Sequence, residues 1–224
     1  MSLLNASLTA QLSELLKKMV SKIEIISYVD NSETSQKVKS LLEEVSQQSD
    51  KISISEVNNN EISNVKRKPS FELRRKLDNP VNGESTVSVS FAGLPLGHEF
   101  SSLVLALLQV SGYAPKISDE QRDAILKLGS HNVTTYMSVI CLNCPEVVQS
   151  LNTISIINPK IQHTVVEGSA FCEEVDKLGV MSVPAVFENG KLISSGRAGI
   201  DELVSVLAEQ EKSCLLYTSD AADE

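Results

Sequence analysis

The chain has 224 residues, 42 % of them hydrophobic and 22 % charged, with a net charge of −9. That composition builds a core and excludes a disordered tail, and the length holds one large domain or two small ones. The acidic balance argues against a nucleic-acid partner; with no apolar run near the about 20 residues of a membrane span and no basic-then-apolar leader, no membrane partner is expected and a cytoplasmic protein is.

Leu4, Leu8, Leu12, Leu15, Leu16 and Met19 recur at helical spacing and open the chain with a helix. Lys22 to Val29, rich in isoleucine, is predicted as a strand, and Thr34 to Gln48 as a helix with Val38, Leu41, Leu42 and Val45 on one face. Ile52 and Ile54 alternate with serines in a short strand, and Asn58 to Lys68 is predicted as a loop. After Pro69, Ser70 to Leu73 alternates as a strand. A long connection through Pro80 to Gly83 is expected to lead into a partner strand around Val87, Val89 and Phe91. Phe100 to Val110 is an apolar helix ending at Gly112.

The order then begins again. Glu120 to Leu128 is predicted helical, Val133 to Ile140 a strand, Pro145 to Ile157 a helix, and Ile161 to Val166 a strand. A short helix over Ala170 to Leu178 precedes the strand Pro184 to Phe187. Asn189-Gly190 turns tightly into Lys191 to Ile193, and Ile200 to Leu207 closes as a helix. The two halves share this pattern but little residue identity. The expected fold is therefore α/β, two tandem thioredoxin-like folds packed together with mixed sheets flanked by helices, divided as 1–115 and 116–212. A single larger α/β domain is the alternative. Residues 213–224, from Ser213 through Cys214 to Glu224, break the helical pattern and are read as a non-native tail.

All four cysteines, Cys141, Cys144, Cys172 and Cys214, lie in the second half, so the first fold carries no thiol chemistry. Cys141 and Cys144 fall at a strand-to-helix junction, where two cysteines three apart on a first helical turn share a side and can close a disulfide. The helix start favours a thiolate, which makes Cys141 the attacking sulfur and Cys144 the resolving one. A structural zinc site competes, but it usually wants four ligands, and only Cys172 and His163 could join the pair. Cys172 is expected to be a small buried hydrophobe. In thioredoxin-like folds, which this order of elements resembles, a proline at the place of Pro184 is cis. Val183 and Pro184 would then lie against the dithiol and offer backbone to a substrate segment. An ordinary strand-starting proline is the bland alternative. Pro69 is expected to start its strand as Pro184 does.

The segments Leu94-Pro95-Leu96-Gly97-His98-Glu99-Phe100, Leu103 to Leu108, Cys141-Leu142-Asn143-Cys144-Pro145-Glu146, Leu151-Asn152, Asn158-Pro159, His163-Thr164 and Val183 to Phe187 together resemble the N-terminal region of the flavoprotein component of bacterial alkyl hydroperoxide reductase, from about Leu3 to Lys212. Leu142 stands where that family usually has histidine. The resemblance implies two fused thioredoxin-like folds ahead of a flavoprotein body, with the dithiol kept only in the second. Electrons would pass from NADH through FAD in that body to the Cys141–Cys144 pair, and on to a peroxiredoxin partner, the peroxidase component of the same alkyl hydroperoxide reductase system. It also implies that Glu99 acts as a proton acceptor beside the dithiol, where the bland reading is a glutamate favourable to a helix dipole. No G-x-G-x-x-G follows any strand, so the chain is expected to hold no cofactor itself and to end before the FAD and NADH domains. Two other functions remain open at this point: a non-catalytic docking module, and a general glutaredoxin- or disulfide-isomerase-like oxidoreductase. For His98 a satisfied or exposed ring is expected, and for Arg197 a solvated side chain that could otherwise guide an acidic partner.

Overall fold

The computed structural model describes residues 2–57 and 67–219, with side chains to Lys212. The predicted loop over Asn58 to Lys68 therefore lies outside the described residues except for Arg67 and Lys68. Helix α1 (Ala6–Leu16) is capped by the Asn5 side chain and leads to β1 (Ile23–Tyr28). Helix α2 (Glu33–Ser46) starts at Ser32, whose hydroxyl accepts from the Ser35 amide, and buries Val38, Leu41, Leu42 and Val45 along one stripe. Strands β2 (Ile52–Glu56), β3 (Ser70–Val81) and β4 (Glu84–Ala92) follow, then α3 (Phe100–Val110).

The second half repeats the scheme with α4 (Asp119–Lys127), β5 (His131–Met137), α5 (Cys144–Ile157), β6 (Ile161–Glu167), α6 (Cys172–Leu178), β7 (Ala185–Glu188), β8 (Lys191–Ser195) and α7 (Ile200–Ser219). A capping box between Ser118 and Gln121 starts α4.

All eight strands form one sheet in the order β2-β1-β3-β4-β6-β5-β7-β8. Each half contributes a parallel pair (β1 with β2, β5 with β6) and two antiparallel pairings, so 2-1-3-4 is followed by 6-5-7-8 with the same sense. The halves join where β4 and β6 pair in parallel, with Ser90 opposite Thr164, Phe91 opposite Val165 and Ala92 opposite Val166.

The repeat is visible in backbone detail. Lys68–Pro69 and Val183–Pro184 are both cis. β3 and β7 begin at the next residue, as expected for Pro69, and the carbonyls of Pro69 and Pro184 accept from Gly93 and Gly196, each at 2.9 Å. Both hairpins turn on Asn-Gly pairs with positive φ, Asn82-Gly83 and Asn189-Gly190.

Three elements differ from expectation. β3 continues through Arg74-Arg75-Lys76 to Val81, so the long connection is a two-residue turn. The basic run pairs with Ser88, Val87 and Thr86, and a register irregularity between Lys76 and Val81 accommodates Pro80. β5 ends at Met137, not Ile140, because Cys141 N–H bonds the Ser138 carbonyl and closes a turn. The backbone of α7 stays helical to Ser219, across most of the segment expected to break the pattern.

A large apolar cluster lies under α1, α2 and α3 and includes Leu41, Leu73, Phe91 and Leu107. It also takes in Met137, Cys144, Val148 and Val165 from the second half. A second cluster, with Ile125, Val133, Leu151, Ile161 and Leu203, fills the space between the sheet and α4, α5 and α7. On the opposite face a small cluster of Ala92, Tyr136, Val166, Ala185 and Phe187 lies toward α6. Arg67 ties the halves from that side: its guanidinium makes two bonds to the Glu174 carboxylate, at 2.6 and 3.0 Å, and Tyr136 donates to the same carboxylate at 2.6 Å.

Candidate active site

Cys141 and Cys144 are disulfide-bonded, with Cα atoms 5.5 Å apart. Helix α5 begins at Cys144, one residue before the predicted Pro145, with Asn143 as its cap; Cys141 therefore sits in the turn ahead of the helix and not on its first turn, where the spacing argument placed it. The electrostatics expected of that place survive in another form. The Cys144 amide, one of the unpaired donors of the first helical turn, points at Cys141 Sγ at 3.1 Å and would stabilise a thiolate there. Cys141 is half-buried and Cys144 fully buried, so only the first sulfur is open to a partner.

Cys141 Sγ also lies 3.7 Å from the Val183 carbonyl oxygen, so the cis Val183–Pro184 segment borders the dithiol. The three most exposed large apolar side chains of the described residues belong to the segments that make this contact: Ile140 at 82 % and Leu142 at 77 % flank Cys141, and Met181 at 94 % lies two residues before Val183. Exposed apolar groups on segments that border a reactive sulfur suit a contact surface better than ones scattered singly do. Sequence reasoning misses Met181; its place three residues before Pro184 is the available signal.

Glu99 closes a short 3-10 turn, Gly97–Glu99, that runs straight into α3 and packs against α5. Its side chain is fully buried, and neither carboxylate oxygen reaches a donor in hydrogen-bond geometry. Burial pushes its pKa up to about 7, and the neighbouring Ser102 hydroxyl offsets part of that rise. A helix-dipole role alone would leave such a carboxylate at the surface and hydrated, and Glu99 is instead fully buried. His98 beside it is exposed.

The other residues named from sequence are accounted for elsewhere. His163 is buried between Asn152 Oδ1 at 2.7 Å and Thr135 Oγ1 at 2.8 Å, and burial lowers its pKa to about 3. Among the described residues no three His, Cys, Asp or Glu side chains are grouped to hold a metal. Cys172 corrects the expectation of a buried thiol: α6 buries none of its residues, and the exposed Sγ reaches only the Ser169 carbonyl, at 3.2 Å. Arg197 pairs with Glu146 in the first turn of α5, with both side chains well exposed. No helix of the described residues is long and apolar enough to cross a membrane.

The Thioredoxin domain family matches residues 132–207, the part that carries the dithiol and the cis-proline. The alkyl hydroperoxide reductase AhpF of Staphylococcus aureus (strain Mu50) is 44 % identical over 206 residues, which is 92 % of this chain and 38 % of that protein. The chain thus spans under two-fifths of the length of this curated relative. The solved N-terminal domain of alkyl hydroperoxide reductase AhpF from Enterococcus faecalis (V583) superposes with a TM-score of 0.80 at 28 % identity, covering 91 % of this chain and 99 % of that one. A protein disulfide oxidoreductase from Aeropyrum pernix shares the fold, with a TM-score of 0.76 at 22 % identity and coverage of 91 % of each chain. Tandem thioredoxin-like architecture, a disulfide at the strand-to-helix junction and these likenesses together match the chain to the N-terminal thioredoxin-like region of AhpF.

Proposed function

We propose that this chain is the dithiol–disulfide relay of an alkyl hydroperoxide reductase system, in which it reduces a peroxiredoxin and is itself reduced by a flavoprotein body. The observation that carries the reading is the pair of unequal sulfurs: Cys141 half-exposed under a helix-terminal amide, Cys144 buried behind it. Reduced Cys141 attacks the partner's disulfide as a thiolate and forms a mixed disulfide, releasing one partner sulfur as thiolate. Cys144 gives up its proton and displaces the second partner sulfur, closing the Cys141–Cys144 bond. Two electrons have then passed to the partner, whose two sulfurs leave as thiolates and take their protons from solvent. Glu99 is the acceptor of the Cys144 proton, and its raised pKa suits it to release that proton near pH 7. Val183 and cis Pro184 lend main chain to the incoming segment, while Ile140, Leu142 and Met181 give it an apolar seat.

In this reading residues 1–115 form a docking and supporting unit and 116–212 the redox unit. FAD and NADH belong to the flavoprotein body, and the relay works in the cytoplasm. The test is a single turnover. Chain reduced with dithiothreitol and desalted is mixed with an oxidised two-cysteine peroxiredoxin, and thiols are counted on both proteins. One disulfide should form here for each one lost there, none should form with Cys141→Ser, and Cys144→Ser should accumulate the mixed disulfide. Exchange that survives Cys141→Ser, or insulin reduced as fast as the peroxiredoxin, would overturn the assignment.

A further inference from the structure

The turn that joins β4 to α3 belongs to the cysteine-free half, yet it is seated on the rim that bears the dithiol. Two glycines with positive φ bracket it, and at each the space of a side chain is taken by the other half. A Cβ on Gly93 (φ 90°) would lie 2.8 Å from Glu167 Cβ, and one on Gly97 (φ 59°) would lie 2.4 Å from the Val139 carbonyl oxygen. In the repeat, by contrast, the counterpart of Gly93 is Gly196, whose side-chain position is open. The His98 amide donates to the same Val139 carbonyl at 2.9 Å. Leu94 and Leu96, between the glycines, pack into the apolar cluster that includes Cys141, Cys144 and Val183.

Val139 is a central residue of the Ser138–Cys141 turn, which the Cys141 amide closes on the Ser138 carbonyl at 3.0 Å. Fixing the Val139 carbonyl fixes the peptide plane that leads toward Cys141. The two sulfurs thus have separate supports, Cys144 from the first turn of α5 and Cys141 from the other half of the molecule. We propose that Gly97, with the His98 amide, is a positioning element that sets how readily the Cys141–Cys144 disulfide is reduced. The cysteine-free fold thereby fixes the redox poise of its neighbour without exchanging electrons. The cause is effective concentration: a held Cys141 meets Cys144 more often as a dithiol, which favours the closed disulfide. A loosened turn shifts the balance toward the dithiol.

This inference rests on the relay reading, and the experiment separates the two. The oxidised chain is equilibrated with graded ratios of reduced to oxidised dithiothreitol, the only co-reactant; each exchange closes one reagent disulfide and opens Cys141–Cys144 to two thiols. The thiols are then trapped by alkylation and counted. Gly97→Ala should favour the reduced form about tenfold, which corresponds to a potential about 30 mV less negative. Leu96→Ala, which removes packing without a backbone clash, should move it the same way by about threefold. Gly179→Ala is the control, because Gly179 has a similar φ of 65° and nothing within 4 Å of its side-chain position. It carries the same backbone strain and should stay within about twofold of the wild type.

Wild-type disulfide that dithiothreitol cannot open and close reversibly would sink the relay reading and this inference with it. Reversible wild type with Leu96→Ala unmoved, or with Gly97→Ala folded and shifted no more than Gly179→Ala, would sink the inference alone. Should Gly97→Ala fail to fold, Leu96→Ala decides.

Discussion

Replacing Glu99 by glutamine keeps the side chain's shape and removes its titration, so it measures what burying that carboxyl costs. Raising the pKa from 4.5 to about 7 means the folded protein holds the proton while the unfolded chain releases it. Folded stability contributed by this group is full below pH 4.5, falls as pH rises, and is lost once pH passes about 7. At about 1.4 kcal/mol for each tenfold change in proton affinity, the interval is worth about 3 kcal/mol as an upper figure. His163 works in the opposite sense: its folded pKa of about 3 makes stability fall as pH drops below 6.5. The wild-type curve therefore mixes two slopes, and the difference between Glu99→Gln and wild type isolates one of them. Urea unfolding of both oxidised proteins at pH 4.5, 5.5, 6.5 and 7.5 gives that difference by linear extrapolation. The variant should gain on the wild type by about 3 kcal/mol between the first and last of these conditions, with most of the change between pH 5 and 7. A difference that stays flat within about 0.5 kcal/mol would show a hydrated carboxyl and remove Glu99 from the proton path.

In a Cys172→Ser, Cys214→Ser background, reduced protein should take up iodoacetamide at Cys141 well before Cys144, because only the first sulfur is half-exposed beneath an amide donor; peptide mapping that finds Cys144 first would reverse the assigned roles. Arg67→Ala should cost about 2–3 kcal/mol in urea unfolding, since it takes a guanidinium whose side chain is only 17 % exposed away from the part-buried Glu174 carboxylate to which buried Tyr136 donates. A loss below about 0.5 kcal/mol would mean that this tether holds nothing.

The parts of the molecule written in local pattern were legible. Stripes such as Val38, Leu41, Leu42 and Val45, the Asn189-Gly190 turn and the prolines ahead of β3 and β7 all carry their own short-range reasons, and the Cys141–Cys144 spacing allows few other readings. The full length of β3 was hidden because Arg74-Arg75-Lys76 looks like a loop until a partner strand faces it. The exposure of Cys172 depends on how little of α6 is covered, which cysteine's usual preference for burial cannot tell. The β4–β6 pairing and the seat of Gly97 on Val139 join residues from different halves, and no local signal announces such meetings. For Glu99, chemistry alone left two roles open; its complete burial is a fact of tertiary packing that no local signal carries.

Because β4 and β6 are bonded as neighbouring strands, the two thioredoxin-like units form one plate with no hinge line between them. Any rotation that re-aims the dithiol must turn the whole plate, with its pivot outside the sheet. Orientation is then a property of the entire slab: a dye or spin label on an exposed residue of α1, such as Ala10, turns with the cysteines on the far side of the seam and reads their heading from a distance.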